Sequence, residues 1–163
     1  MLNVCSLNFG FTKKRILRSL SFSLKKGETL QLKGSNGSGK TTLCKILGGL
    51  ICDYHGTVFW QSSPTARKDP NLKPYLSYLA SENNGLFPEL SAYENMNYLL
   101  RLRNIQKKKK DILEILEEAR VAPGYFLETL AVRKFSTGMK RRLALLRCFS
   151  LNTPLIILDE PTS

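Results

Sequence analysis

The sequence predicts an α/β fold: a parallel core sheet, an antiparallel β layer at the N-terminus, and a helical insert over residues 91–130. Three observations carry that expectation. A glycine-rich stretch, Gly34 to Thr42 (GSNGSGKTT), lies between a strand-like run and a helix-like run. A continuous apolar run, Leu155 to Leu158 (LIIL), ends on Asp159 and Glu160, as a strand buried on both faces would. From Ser91 to about residue 130 the apolar residues follow helical rather than strand spacing.

A chain of 163 residues fits one domain, taken as residues 1–163. With 42% hydrophobic and 23% charged residues it has the composition of a globular protein that buries a core. No apolar run approaches the roughly 20 residues needed to span a bilayer. The opening MLNVCSLNFG lacks the basic start and long apolar segment of a signal peptide. The expectation is a soluble or peripheral protein. A net charge of +12 favours an acidic partner, whether nucleotide, nucleic acid or an anionic membrane face, and composition does not choose among them. Cys5, Cys44, Cys52 and Cys148 form no C-x-x-C pair and have no zinc-finger spacing to histidine, so they read as reduced and mostly buried thiols.

Taken in order, Leu2 to Leu7 alternates as a half-buried strand, and Phe9 to Arg15 reads as a loop with two aromatics and a basic cluster. Leu20 to Leu24 (LSFSL) alternates again, and Lys25-Lys26-Gly27 turns the chain into a strand over Thr29 to Lys33 (TLQLK). A helix follows over Thr42 to Leu50. His55-Gly56 reads as a turn, with His55 a solvated residue rather than a ligand, and Thr57 to Trp60 as a short strand. Residues 61–74, with their prolines, read as a surface loop. Tyr75 to Ala80 (YLSYLA) is the next strand and ends at a polar corner, Ser81 to Gly85. Ser91 is an N-cap with Glu94 completing a capping box for a helix to Arg103. Lys107 to Lys110 reads as a solvated helix junction, with a membrane or nucleic-acid surface as the alternative. Helical spacing resumes from Ile112 to about Arg120. Ser136 to Ser150 is a further helix, basic on one side and apolar on the other.

The chemistry starts at GSNGSGKTT, which fits G-x-x-x-x-G-K-[ST]. Glycines at 34, 37 and 39 allow the backbone angles that turn successive N–H groups around a phosphate, and the following helix directs its positive dipole end at the same anion. Gly34, Ser35, Asn36, Gly37, Ser38, Gly39, Lys40, Thr41 and Thr42 therefore form a candidate nucleoside triphosphate cradle. Lys40 reaches toward the β and γ phosphates and the Thr41 hydroxyl suits Mg²⁺. Asp159, delivered by LIIL, is the second candidate metal ligand. Glu160 is placed to orient or deprotonate a water attacking the γ-phosphate. The bland alternative is two acids ending a strand in solvent. An exposed aromatic near the loop would stack on a base: Phe11 first and Phe9 second, either of which serves equally as a core anchor.

These motifs resemble the nucleotide-binding domain of ATP-binding cassette transporters, in which GSNGSGKTT corresponds to Walker A, LIILDEPT to Walker B, and Ser136-Thr137-Gly138-Met139-Lys140 to the LSGGQ signature. The motifs stand in family order across the whole chain. The opening LNVCSLNF, the GSNGSGKTTL loop and GTVFWQ are most similar to the heme exporter ATP-binding subunits of cytochrome c maturation. The resemblance implies a P-loop ATPase using ATP and Mg²⁺. It also implies a head-to-tail dimer with a second ATP-binding subunit, in which Ser136 and Gly138 of one copy cap nucleotide held by the other. Integral membrane permease subunits of a heme-handling complex are the further implied partners, with no direct contact to nucleic acid. The implied location is peripheral, on the cytoplasmic face of a bacterial inner membrane or the matrix face of the mitochondrial one. Three features depart from the family. Asn83 stands nearest to the Q-loop glutamine, Thr137 and Met139 replace the usual Gly and Gln, and the chain stops at Ser163 before the D-loop is complete and before the switch histidine. That last feature predicts a C-terminally truncated domain that binds MgATP but hydrolyses it poorly alone. The competing readings are a soluble cassette ATPase acting on ribosomes or nucleic acid and a hydrolysis-deficient assembly subunit.

Overall fold

The computed structural model describes residues 1–11, 14–60, 63–64, 76–80 and 85–160. They fall into two compact units, Met1–Leu76 and Ser77–Ser163. Strands β1 (Leu2–Phe11), β2 (Lys14–Leu24), β3 (His55–Trp60) and β4 (Ser63–Pro64) of the first unit form an antiparallel sheet in the order β2-β1-β3-β4.

The buried residues of β1 are Leu2, Val4, Leu7 and Phe9, so the inward face changes parity between positions 4 and 7. A bulge makes the change. The ladders to β2 and β3 both shift register around Ser6, whose φ is +48°. The Ser6 N–H donates to Ser21 Oγ at 2.8 Å, and the Asn8 amide bridges Ser6 O (2.8 Å) and the Ser19 N–H (2.9 Å). Opposite the bulge, Gly56 has φ +98°, and a Cβ there would stand 2.4 Å from Ser6 O. Only glycine lets β3 pass so close.

Three expectations change here. The stretch from Phe9 to Arg15 is not a free loop: β1 runs on to Phe11 and β2 starts at Lys14, with Phe9 paired to Leu17 and Gly10 to Arg15. Alternation on the two arms of the hairpin was hidden by the basic cluster. His55 opens β3 opposite Asn8 rather than sitting in a turn, and it is exposed as expected. The strand expected over Thr29 to Lys33 does not form. Its residues are largely exposed, Leu30 at 44%. The alternation of TLQLK gives it one apolar face only, and without a neighbouring ladder an extended segment stays solvated.

Helix α1 (Lys40–Leu47) begins two residues before the expected start and buries Leu43, Cys44 and Ile46. It stops at Gly48-Gly49 in a Schellman arrangement. Gly49 has φ +70°, its N–H donates to Ile46 O at 3.0 Å, and the Leu50 N–H donates to Lys45 O at 2.8 Å.

In the second unit, β5 (Leu76–Leu79) pairs with β6 (Leu155–Leu158). The contacts Ser77 Oγ to Thr153 Oγ1 (2.8 Å) and Asp159 N–H to Leu79 O (2.9 Å) advance together along both chains, so the pair is parallel. Helices α2 (Ala92–Leu102), α3 (Lys109–Glu118), α4 (Phe126–Thr129) and α5 (Thr137–Ser150) complete the unit. Ala92, Met96 and Leu100 of α2, Ile112 and Leu116 of α3, Leu127 of α4 and Leu143 of α5 converge with Val121, Val132 and Phe135 in one core. The spacing i, i+4, i+8 on α2 is the apolar stripe of an amphipathic helix. A second cluster packs Ala144 and Cys148 of α5 on Leu79, Ile156 and Leu158, which seats α5 on the β5–β6 pair.

Candidate functional site

The glycine-rich loop folds around the side chain that follows it. Lys40 Nζ donates to Gly34 O at 2.9 Å and to Ser35 O at 3.0 Å, while the Ser38 N–H closes a turn on Ser35 O at 3.2 Å. Both carbonyls thus turn toward the ammonium that the motif places six and five residues downstream. The three glycines do different work. A Cβ at Gly34 would lie 2.6 Å from Ser38 Oγ, and one at Gly39 (φ +98°) would lie 2.7 Å from Ile16 Cγ2, so both are held by close packing. At Gly37 (φ +79°) nothing among the described residues lies within 4 Å of the Cβ position.

Gly39 is also the N-cap of α1, with no side-chain cap hydrogen bond and no acidic residue in the first turn. An uncapped, acid-free helix start beside a lysine suits a polyanion. Ser35, Asn36 and Ser38 are exposed, and Thr41 and Thr42 are half-buried in the first turn. Residues 34 to 42 thus form one loop and helix start closed around the Lys40 ammonium.

Asp159, Glu160, Ser136 and Gly138 belong to the second unit. Asp159 is 3% exposed at the C-terminal end of β6, and Tyr78 Oη donates to its Oδ2 at a long 3.5 Å. Its carboxylate is a hard oxygen donor of the kind that Mg²⁺ prefers. Glu160 is exposed, and its φ of +51° is the left-handed conformation that non-glycine residues rarely take. Its carbonyl accepts a hydrogen bond from the Arg141 guanidinium of α5. A backbone outlier directly after a buried acid re-aims the chain at the sheet's C-terminal end, where ligands of open α/β sheets sit.

Ser136 is the N-cap of α5, and its Oγ accepts from the Met139 N–H at 3.2 Å. Gly138 lies in the first turn, exposed, where among the described residues a Cβ would meet only the Arg142 guanidinium, at an ordinary 3.6 Å. Internal packing does not demand glycine there, so the small residue keeps a helix N-terminus approachable from outside.

Phe9, the second choice for base stacking, is 9% exposed in the core face of β1 and is closed as a ligand platform. Phe11 ends β1, but its side chain lies outside the described residues, as does Asn83. Of the cysteines, Cys44 and Cys148 are buried as expected, whereas Cys5 is exposed because it follows the outward face of β1 into the bulge. Burial pushes the Cys148 thiol up and lowers the neighbouring Arg147 guanidinium.

Sequence reasoning missed two groups that shape the site's surroundings. Asn95 is fully buried. Its Oδ1 accepts from the Phe87 N–H at 2.8 Å, and its Nδ2 lies within 3.0 Å of Phe87 O and Ser91 O and 3.3 Å of Leu90 O. It ties the segment leaving β5 to the capping box of α2, where Ser91 and Glu94 bond reciprocally at 2.8 and 3.2 Å. The available signal was position: Asn95 stands three residues after Ala92 and beside Met96, on the apolar face. The other is Arg147, whose guanidinium donates to Gly85 O and holds the same segment from α5.

The sequence profile described as ABC transporter matches residues 17–163. The chain is 32% identical to the cytochrome c biogenesis ATP-binding export protein CcmA of Cupriavidus necator, covering all of this chain and 70% of that protein. It is 31% identical to the lantibiotic transport ATP-binding protein SrtF of Streptococcus pyogenes, covering all of this chain and 67% of SrtF. Among solved structures, the ATP-binding cassette MJ0796, a dimer in a post-hydrolysis state bound to ADP and Pi, superposes with a TM-score of 0.82 over 99% of this chain and 75% of its own. At 24% identity that likeness establishes the fold, an α/β ATP-binding cassette. The chain belongs to the ABC transporter family, as an ATP-binding subunit.

Proposed function

We propose that the chain binds MgATP and drives a membrane complex that handles heme in cytochrome c biogenesis. The observation that carries the nucleotide part is the Gly34–Thr42 loop closed on Lys40, with space at the Gly37 Cβ position among the described residues and an uncapped helix start behind it. In this reading Gly34, Ser35, Asn36, Gly37, Ser38, Gly39, Lys40 and Thr42 hold the phosphates, and Phe11 stacks on the adenine. Thr41 and Asp159 hold Mg²⁺, which when bound supplies positive charge to the β and γ phosphate oxygens. Glu160 orients the attacking water and accepts its proton. Asn83 stands in for the Q-loop glutamine that links the Mg²⁺ site to the membrane partner. Ser136 and the N–H groups around Gly138 cap the nucleotide on a second ATP-binding subunit, head to tail, for which the dimeric cassette with the same fold gives support. Residues 1–163 act as one ATP-binding domain with 91–130 as its helical insert, seated peripherally on permease subunits at the cytoplasmic or matrix face of the membrane.

The heme cargo rests on the CcmA likeness. A second cargo class, a lantibiotic, is favoured by the SrtF likeness at 31% identity against 32%. Deleting the gene and scoring c-type cytochromes by heme staining decides between them. The heme reading expects c-type cytochromes to vanish and to return with the intact gene, whereas a normal complement in the deletion strain refutes it.

A further inference from the structure

Helix α5 carries a contact that joins two parts of the candidate site. Gly138 is exposed in its first turn, and Arg141 lies three residues on, about 4.5 Å further along the axis and on an adjoining face. The Arg141 guanidinium donates to the backbone carbonyl of Glu160. On the other side of the same residue, the Asp159 N–H is fixed to Leu79 O at 2.9 Å in the β5–β6 ladder. Glu160 is thus gripped before and after its Cα while its φ stands at +51°. An L-residue stays in that conformation only where its surroundings over-determine it.

We propose that Arg141 is a positioning residue for Glu160. By holding the Glu160 carbonyl it keeps the left-handed turn and so sets where the carboxylate points. Because α5 is one unbroken helix of 14 residues, seated on the sheet through Ala144 and Cys148, a shift imposed at Ser136 and Gly138 is carried to that turn through Arg141. One chain's Glu160 is thereby aligned when its own α5 N-terminus is engaged. This inference rests on the assignment of Glu160 as the water-orienting acid.

The test compares Arg141→Met, which keeps the stem and loses every donor, with Arg141→Lys, which keeps a charged donor, and with Glu160→Gln, all in the full chain assembled with its membrane partners. Arg141→Met is expected to lower kcat for ATP about tenfold with KM within twofold, and Arg141→Lys to recover most of the loss. Hydrogen exchange of the peptide spanning 155–160 is expected to speed up in Arg141→Met at an unchanged urea midpoint. Wild-type kcat in Arg141→Met beside an inactive Glu160→Gln overturns the Arg141 role alone. Full turnover in Glu160→Gln overturns the Glu160 assignment and this inference with it. Unchanged exchange over 155–160 in Arg141→Met overturns the inference whatever the turnover.

Discussion

Replacing Gly39 with alanine separates two demands that the loop makes on one residue. The first is conformational: φ of +98° lies in the region that costs an L-residue about 1–2 kcal/mol. The second is steric, because the new Cβ would stand 2.7 Å from Ile16 Cγ2 and 3.1 Å from Leu17 Cδ2 of β2. Overpacking of that kind costs about 1–3 kcal/mol. Together they predict a loss of about 2–5 kcal/mol, or a urea midpoint lower by on the order of 1–2 M. Gly37 supplies the control. Its φ of +79° carries the same kind of conformational cost, but among the described residues nothing lies within 4 Å of its Cβ position. Gly37→Ala should therefore lose only about 1–2 kcal/mol. The single tryptophan, Trp60, sits in β3 of the same sheet, so its fluorescence reports this unit directly. Adding Ile16→Ala to Gly39→Ala should restore part of the steric term and none of the conformational one, which a double-mutant cycle isolates. Coincident melts for Gly37→Ala and Gly39→Ala would refute the claim that the loop is packed tightly on β2.

Asn95→Ala leaves the Phe87 N–H and the carbonyls of Phe87, Leu90 and Ser91 without the amide that serves them. The expected loss is about 2–4 kcal/mol in the second unit, read by circular dichroism in urea, since each buried group left unserved costs about 1–3 kcal/mol. Thiol labelling should proceed in the order set by burial, with Cys5 first and the buried Cys44 and Cys148 last, Cys148 being slowed further because burial raises its pKa. That shift has a sign for stability: the folded protein keeps the Cys148 proton above the pH at which the unfolded chain releases it. Stability is therefore whole below the ordinary thiol pKa and falls as pH rises beyond it, which urea melts at rising pH would show.

Much of the site was legible because its signals are local. GSNGSGKTT fixes which residues surround Lys40, since the carbonyls it binds are five and six positions away. Ser91 and Glu94 announce their own capping box, and LIIL announces a strand ending at Asp159. What was hidden depends on partners distant in sequence. TLQLK has the alternation of a strand, but a strand exists only beside another. The bulge at Ser6 shifts the apolar parity of β1, and the lysines and arginine from 13 to 15 masked a hairpin as a loop. The burial of Asn95 had no signal of its own, because a polar side chain gives no sign of the carbonyls that will close over it. Arg141 likewise gave no sign of the backbone carbonyl, 19 residues away, that it binds.

The central claim is that the closed loop around Lys40 grips a magnesium-bound triphosphate, and equilibrium titration of MgATP into the purified chain tests it most directly. Lys40→Met keeps the stem and removes the ammonium, with loss of charge-assisted bonds worth about 1.5–3 kcal/mol. With Trp60 fluorescence showing an intact first unit, the affinity should fall by roughly 10- to 150-fold. A folded Lys40→Met chain that binds MgATP as tightly as the original would contradict the account.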